Sequence, residues 1–247
     1  MERIAIDINC DVGEGIGNEA QLLPLTSSCN IACGGHAGDE ATIKEVIQLA
    51  KMHQVKIGAH PSYPDRINFG RSSMDITPHA LKRSIRDQLQ LFERITIAEK
   101  ATFHHIKAHG ALYNNMAKDI SLAKVYLESV SAYRDKCHLY VPYNTVIAKE
   151  ALKQGFRIKY EAFADRNYSD GLNLLPRSSA KALITKPEAV LKHILRMVKE
   201  SSIQTPSGKR MEIKADTFCI HGDTSSAFEI LMYLSTELPK HQVNISK

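Results

Sequence analysis

Along the chain, short apolar runs alternate with longer amphipathic ones, and polar segments rich in glycine or proline separate them. "RIAIDI" leads into "NCDVGEG", "SCNIA" into "CGGHAGD", "VKIGA" into "HPSYPDRINFGR" and "FHHIKA" into "HGALYN". "HLYV" then leads into "PYN", "FRIKYEA" into "FADRNYSDG" and "DTFCI" into "HGDTSS". Apolar runs of this length bounded by turn residues predict strands, seven in all.

The segments between them carry helical periodicity. Over 39–53, Ile43, Val46, Ile47 and Ala50 recur at i, i+3, i+4 and i+7, with Asp39 or Thr42 to cap the start. Over 77–100, Thr77 precedes Pro78 as cap and first helical residue, and Leu81, Ile85, Leu89 and Phe92 form a stripe. Asn144 is placed to cap 145–154, with Gly155 just past its end. Thr185 and Glu188 have the spacing of a capping box ahead of Val190, Leu191, Ile194 and Val198. Ala227, Ile230, Leu231 and Leu234 stripe the last helix. Such stripes are core-facing surface. Residues 201–213, "SSIQTPSGKRMEI", break the rhythm, and Pro206, Ser207 and Gly208 predict the turn of a β-ribbon laid over the main body.

Alternation of this kind predicts an α/β fold, with parallel strands joined by crossover helices in one domain over 1–247. Polar motifs follow every strand, and a site assembled from many strand ends suits the mouth of a (β/α) barrel. An open sheet would gather its ligands at one switch point.

Composition narrows the function classes. Hydrophobic residues make up 43% and charged residues 24% of 247, enough for a sizeable and, with no tryptophan, mostly aliphatic core. The net charge of +5 is dispersed over predicted helices, as in "KRSIRDQ" and "KHILRMVKE". That reads as solvated helix faces rather than a nucleic-acid-binding stripe, while favouring small acidic substrates by steering. The five cysteines form no C-x-x-C pair, which points to reduced thiols and a cytoplasmic setting. No secretory leader pattern and no run of about 18 apolar residues is visible, so neither export nor a membrane partner is expected.

Four histidines, His36, His60, His109 and His221, fall at predicted strand ends, and all would face one end of a parallel sheet. Asp7, Asn9 and Asp11 alternate and so share a face of the first strand, as do Lys107 and His109 further on. Asp65–Arg66 and Asp165–Arg166 read equally well as structural ion pairs and as parts of a site. In the second case Arg66, Arg71 or Arg166 would grip a substrate carboxylate in bidentate fashion, with Gly70 leaving room. An aspartate with several histidines at a barrel mouth suits either a divalent metal that activates water or metal-free acid–base chemistry. Cys33, close to His36, reads better as a buried thiol than as a nucleophile. Neither G-x-S-x-G nor a phosphate-binding G-x-x-x-x-G-K-[ST] loop occurs.

The blocks "DINCDVGEG", "NIACGGHAGD", "GAHPSYPDRINFGR", "KAHGALYN", "FADRNY", "LLPRS" and "CIHGD" resemble the signature blocks of the LamB/YcsF family, in that family's order from Asp7 to Asp223. The resemblance implies an irregular seven-stranded (β/α) barrel akin to glycoside hydrolases and deacetylases. It also implies an ATP-dependent opening of the lactam 5-oxoproline to L-glutamate, carried out with 5-oxoprolinase subunits B and C. ATP, with Mg²⁺, would then be shared with a partner subunit, since this chain has no phosphate-binding loop. Asp11, His36 and His60 match the positions of an Asp-His-His metal triad in related barrels. On this reading Asp11, Lys107 and His109 are catalytic: Asp11 activates water, and Lys107 and His109 stabilise the oxyanion or protonate the ring nitrogen. Arg66, Arg71, Arg166, His221 and Asp223 bind substrate. The chain departs from the family pattern at Ala108, where proline is usual, at Gly35, where an aromatic is common, and at "VPYN" over 141–144. Ala108 is expected to loosen the loop before His109, and Gly35 to widen the pocket. Rival readings are a metal-dependent N-acetyl-sugar deacetylase and a non-catalytic substrate-binding subunit.

Overall fold

The computed structural model describes residues 3–224 and 226–247. Its strands are β1 (Ile4–Val12), β2 (Ser28–Ala32), β3 (Lys56–His60), β4 (Phe103–Lys107), β5 (His138–Pro142), β6 (Ile158–Phe163), β7 (Ser202–Gln204), β8 (Arg210–Glu212), β9 (Thr217–His221) and β10 (Val243–Ile245). Its α-helices are α1 (Glu19–Leu22), α2 (Glu40–Met52), α3 (Pro78–Ala98), α4 (Gly110–Met116), α5 (Ile120–Ser129), α6 (Val146–Lys153), α7 (Pro187–Glu200) and α8 (Ala227–Glu237).

The seven predicted strands, β1 to β6 and β9, pair in parallel in that order, and β9 returns to β1 to close a barrel. Strands β7 and β8 form the expected antiparallel ribbon. Strand β10 was not visible in the sequence, where three residues are too few to show a period. It adds in parallel to the first residues of β1, pairing Ile4 with Val243.

Helix starts follow local chemistry. Asp39 Oδ1 accepts from Thr42 N at 2.8 Å, and Thr77 Oγ1 accepts from Ala80 N at 3.3 Å. Two expected caps differ. Thr145, not Asn144, is the residue before α6, and Asn144 instead takes a left-handed turn at φ 57°. Lys186 precedes α7 and Pro187 fills its first position, so Thr185 lies one residue outside the cap position and the expected Thr185–Glu188 capping box does not form. Gly155 follows α6 at φ 79°, as expected.

The helix stripes bury their predicted residues, including Ile43, Leu89, Ile194 and Leu231, except Val198, which is only partly buried. The barrel interior is different. Barrels of this type are usually filled by layers of branched aliphatic side chains. Here a hydrogen-bonded column fills much of it. Lys56 Nζ and Ser28 Oγ donate to Asp7 at 3.1 and 2.7 Å, and Thr217 Oγ1 donates to it at 2.7 Å. Asn9 Nδ2 donates to Thr217 Oγ1 and Glu161 Oε1, and Asn30 Nδ2 to Asn9 Oδ1 and Asp11 Oδ1. His105 Nε2 meets Asn30 Oδ1 at 2.7 Å, and its ring stacks on Tyr140 at 4.0 Å. A side chain at Gly58 would place its Cβ 2.2 Å from His105 Nε2, so that ring occupies the space the glycine leaves.

Candidate active site

The column ends at the carboxyl ends of the strands, where a cavity of 360 Å³ opens. Asp11, His60, Arg71, Lys107, His109, Arg166 and His221 line it, together with Arg177. Its size suits a small ligand.

At its base, Lys107 Nζ lies 2.8 Å from Asp11 Oδ1, 2.9 Å from Glu161 Oε1 and 3.0 Å from Cys219 Sγ, and all four side chains are buried. Burial alone would favour neutral lysine, but the Asp11 and Glu161 carboxylates outweigh it and hold Lys107 well above its ordinary value. Burial likewise works against the Asp11 charge, and His60 and Lys107 reverse that, keeping Asp11 well below the usual carboxylate range. The site therefore holds a fixed ammonium and a fixed carboxylate in contact. Asp11, Cys219 and His221 also bring ligand-type atoms together. There the Lys107 ammonium already serves as the cation, and burial pushes the Cys219 thiol up.

Beside this pair, His36, His60 and His109 surround Glu14. Glu14 Oε1 is 3.0 Å from His36 Nε2, 3.2 Å from His109 Nδ1 and 3.8 Å from His60 Nε2. Burial works against the Glu14 charge, but the adjoining His109 and His36 rings outweigh it and hold the carboxyl below the usual range. Burial pushes His36 down to about 4, and lowers His109 as well. Asp11, His36 and His60, matched above to a metal triad, do not converge as a set: Asp11 Oδ1 is on Lys107, and Asp11 Oδ2 comes within 3.5 Å of His60 alone. Glu14 was missed in the sequence. Its signal was its place between Gly13 and Gly15 in "DVGEG".

Local backbone fixes these rings. His109 N donates to Pro61 O at 2.8 Å, which anchors the loop that Ala108 was expected to loosen. Phe69 sits at φ 54°, a left-handed conformation costing about 1–2 kcal/mol, and its carbonyl lies 3.0 Å from His109 Nε2. Gly70 follows at φ 61°, where a Cβ would stand 3.0 Å from both His109 Cδ2 and His36 Cβ. Gly35 does not line the cavity. A Cβ there would meet Ser62 Oγ at 2.3 Å and Gln88 Oε1 at 2.5 Å, behind the histidines, so this position does not widen the pocket. Gln88 uses the space to pin the Ser62 backbone, accepting from Ser62 N and donating to Ser62 O, both at 3.0 Å.

The rim is basic. Arg71 pairs with Asp223, which also accepts from Arg177 at 3.2 Å. Both arginines line the cavity, while Asp223 stands behind them. Arg166, buried, lines the same wall, and burial together with Arg177 lowers its affinity for its proton. Arg66 is placed elsewhere: it is exposed, outside the cavity, and donates to Gly38 O at 2.6 Å. Asp165 belongs to His221, meeting its ring Nδ1 at 3.0 Å and accepting from its backbone N at 3.0 Å. Arg177 and Glu161 were overlooked, although "LLPRS" and the alternation of "FRIKYEA" contained them. All five cysteines are buried thiols, and burial pushes Cys33 up to about 12, which removes it as a nucleophile. No helix among the described residues is long and apolar enough to cross a membrane.

Comparison with known proteins agrees with this architecture. The sequence model of the LamB/YcsF family matches residues 6–247. The curated A subunit of 5-oxoprolinase from Staphylococcus haemolyticus is 40% identical over 245 residues, covering 97% of this chain and 98% of that protein. The crystal structure of a lactam utilization protein from Thermus thermophilus superimposes with a TM-score of 0.91 at 35% identity, covering 98% and 99% of the two chains. The GH20 β-N-acetylhexosaminidase of Streptomyces coelicolor A3(2) shares the barrel fold alone, with a TM-score of 0.52 at 12% identity, covering 97% of this chain and 64% of that one.

Proposed function

The chain belongs to the LamB/YcsF family, and from that premise we propose that it is the A subunit of an ATP-dependent 5-oxoprolinase, opening the lactam of 5-oxo-L-proline to L-glutamate with subunits B and C. The observation that carries this reading is the full-length match to a 5-oxoprolinase A subunit, at 40% identity. The cavity supports it chemically. Its rim carries Arg71, Arg166 and Arg177, suited to a small carboxylate ligand, and its base carries a buried ammonium–carboxylate pair.

A five-membered lactam is a stable amide. Phosphoryl transfer from ATP to the lactam oxygen makes the ring carbon electrophilic enough for water to add. Asp11 takes the proton of that water, and Lys107 faces the negative charge that develops on oxygen. His221, oriented by Asp165, delivers a proton to the ring nitrogen as the C–N bond breaks, with His109 on the facing wall. The acyl phosphate this leaves is hydrolysed by a second water to L-glutamate and inorganic phosphate. The substrate carboxylate lies on the arginines, and Arg66 takes no part because it stands outside the cavity. With no phosphate-binding loop here, ATP and its Mg²⁺ reach the lactam where a partner chain docks. Were a divalent metal to sit at the mouth, Glu14, His60 and His109 would hold it, and it would supply a Lewis acid.

The test is glutamate release from 5-oxoproline, ATP and Mg²⁺ by subunits B and C, with this chain added or omitted. Glutamate formed only with this chain and ATP is the expected result. No glutamate with folded partners present refutes the reading.

A further inference from the structure

We propose that Glu14, His60 and His109 form a divalent-cation site at the barrel mouth, with His36 positioning Glu14. The inference rests on side-chain geometry and holds whatever the substrate.

Backbone carbonyls set the tautomers. His60 Nδ1 is 2.8 Å from Lys107 O, and His109 Nε2 is 3.0 Å from Phe69 O. A carbonyl only accepts, so those two ring nitrogens carry the hydrogens. The opposite nitrogens, His60 Nε2 and His109 Nδ1, are then bare, yet they face each other at 3.0 Å. Glu14 Oε1, a third acceptor, lies 3.2 Å from His109 Nδ1 and 3.8 Å from His60 Nε2. With both rings neutral, three buried lone-pair donors thus converge with no hydrogen among them, and a cation at their centre would satisfy all three at once.

The spacing fits a metal ion. Donors about 2.0–2.2 Å from a tetrahedral cation lie roughly 3.3 Å apart, and the three separations here are 3.0, 3.2 and 3.8 Å. The outward nitrogen of each ligand ring rests on a backbone carbonyl, the usual outer support of a metal-bound histidine. His36 has another role. Its ring stacks on His109 at 3.6 Å with 4° between planes, so a cation in the plane of one ring lies outside the plane of the other. His36 Nε2 instead donates to Glu14 Oε1 at 3.0 Å, and its buried Nδ1 has no partner. His60 and His109 both line the cavity, which leaves an open coordination position facing the ligand space. Two imidazoles and one carboxylate suit zinc, cobalt, iron or manganese rather than calcium or magnesium.

The experiment titrates the chelator-treated full chain with Co²⁺ and follows visible absorption, with Zn²⁺ as competitor. One equivalent of Co²⁺, displaced by Zn²⁺, is expected. Glu14→Gln and His109→Ala should abolish the spectrum, and His36→Ala should weaken binding by roughly 10- to 100-fold. Arg66→Ala should change nothing. Ring-nitrogen NMR of the wild-type chain provides a measurement that does not depend on the variants folding. Zn²⁺ should shift His60 Nε2 and His109 Nδ1. Absence of saturable Co²⁺ binding, ring nitrogens that ignore Zn²⁺, or a folded Glu14→Gln chain that binds as well as wild type would each overturn the site.

Discussion

Lys107 Nζ lies 2.9 Å from Glu161 Oε1, a carboxylate whose side chain has no exposed surface. With Asp11 at 2.8 Å, the ammonium serves two acids at once. Removing it leaves both charges buried. Lys107→Met should therefore cost about 3–5 kcal/mol of stability, the usual penalty for breaking a buried pair. Lys107→Met/Glu161→Gln should recover part of that loss, and denaturant melts of the two variants compare them directly.

Asp11→Asn should behave differently. The amide oxygen can still accept from Lys107, and Glu161 still pairs with the ammonium, so the chain should fold with a smaller loss of stability than Lys107→Met. Loss of the base that takes the water proton should lower turnover by roughly 10²- to 10⁴-fold in the complete three-component enzyme. Near-normal turnover would remove Asp11 from the reaction.

On the proposed reading, the rim arginines hold the carboxylate in substrate and transition state alike. Arg177→Ala should raise KM for 5-oxoproline roughly 10- to 100-fold, matching about 1.5–3 kcal/mol for a charged hydrogen bond, with kcat little changed. Arg66→Ala, on an exposed loop outside the cavity, should leave both constants unchanged. Steady-state kinetics on the pair tests the assignment of the wall.

Gly35→Ala should destabilise the chain by about 1–3 kcal/mol, because the added methyl runs into Ser62 Oγ and Gln88. Shortening the obstruction with Gln88→Ala in the same chain should give a smaller further loss than Gln88→Ala costs alone. A double-mutant cycle in urea measures that coupling.

Mild acid should already weaken the fold through a buried histidine. Burial pushes His193, on α7, down to about 4. In the unfolded chain its imidazole takes a proton near pH 6.5, which the folded chain refuses until about pH 4, so stability falls as pH drops between those values. One such group contributes up to about 1.4 kcal/mol per pH unit. His193→Gln should remove one group's share of the slope across that window, while His36 and His104, also pushed down to about 4, keep the rest, as followed by urea midpoints at several pH values.

The barrel was legible because each of its seven strands is a compact apolar run followed by a turn motif, and α2, α3, α7 and α8 each carry their own stripe, while the short α1, α4 and α5 were not foreseen. The four strand-end histidines were legible for the same reason: position along a parallel strand fixes which end a residue faces. What stayed hidden was which neighbours those side chains choose. Lys107 and Glu161 are 54 residues apart in the chain (161 − 107), and only the closed sheet brings them into contact. Glu14 reads as part of a glycine turn until the turn folds back over His36. Arg66 and Arg71 look equivalent in "PDRINFGR", yet the turn between them sends one outward and the other into the cavity.

The polar column inside the barrel also shapes how the chain must fold. Its bonds run from β1 to β2, β3, β4, β6 and β9. Lys107 on β4 reaches across the interior to Asp11 on β1 and Glu161 on β6, so most of the barrel must be in place before that ammonium has both its partners. A half-closed sheet would hold unpaired charges in an interior that water is leaving. Aliphatic barrels can assemble piecewise, since any added strand buries more oil. This one gains little until its seams meet, so its interior strands should gain protection from hydrogen exchange together, as a single cooperative unit.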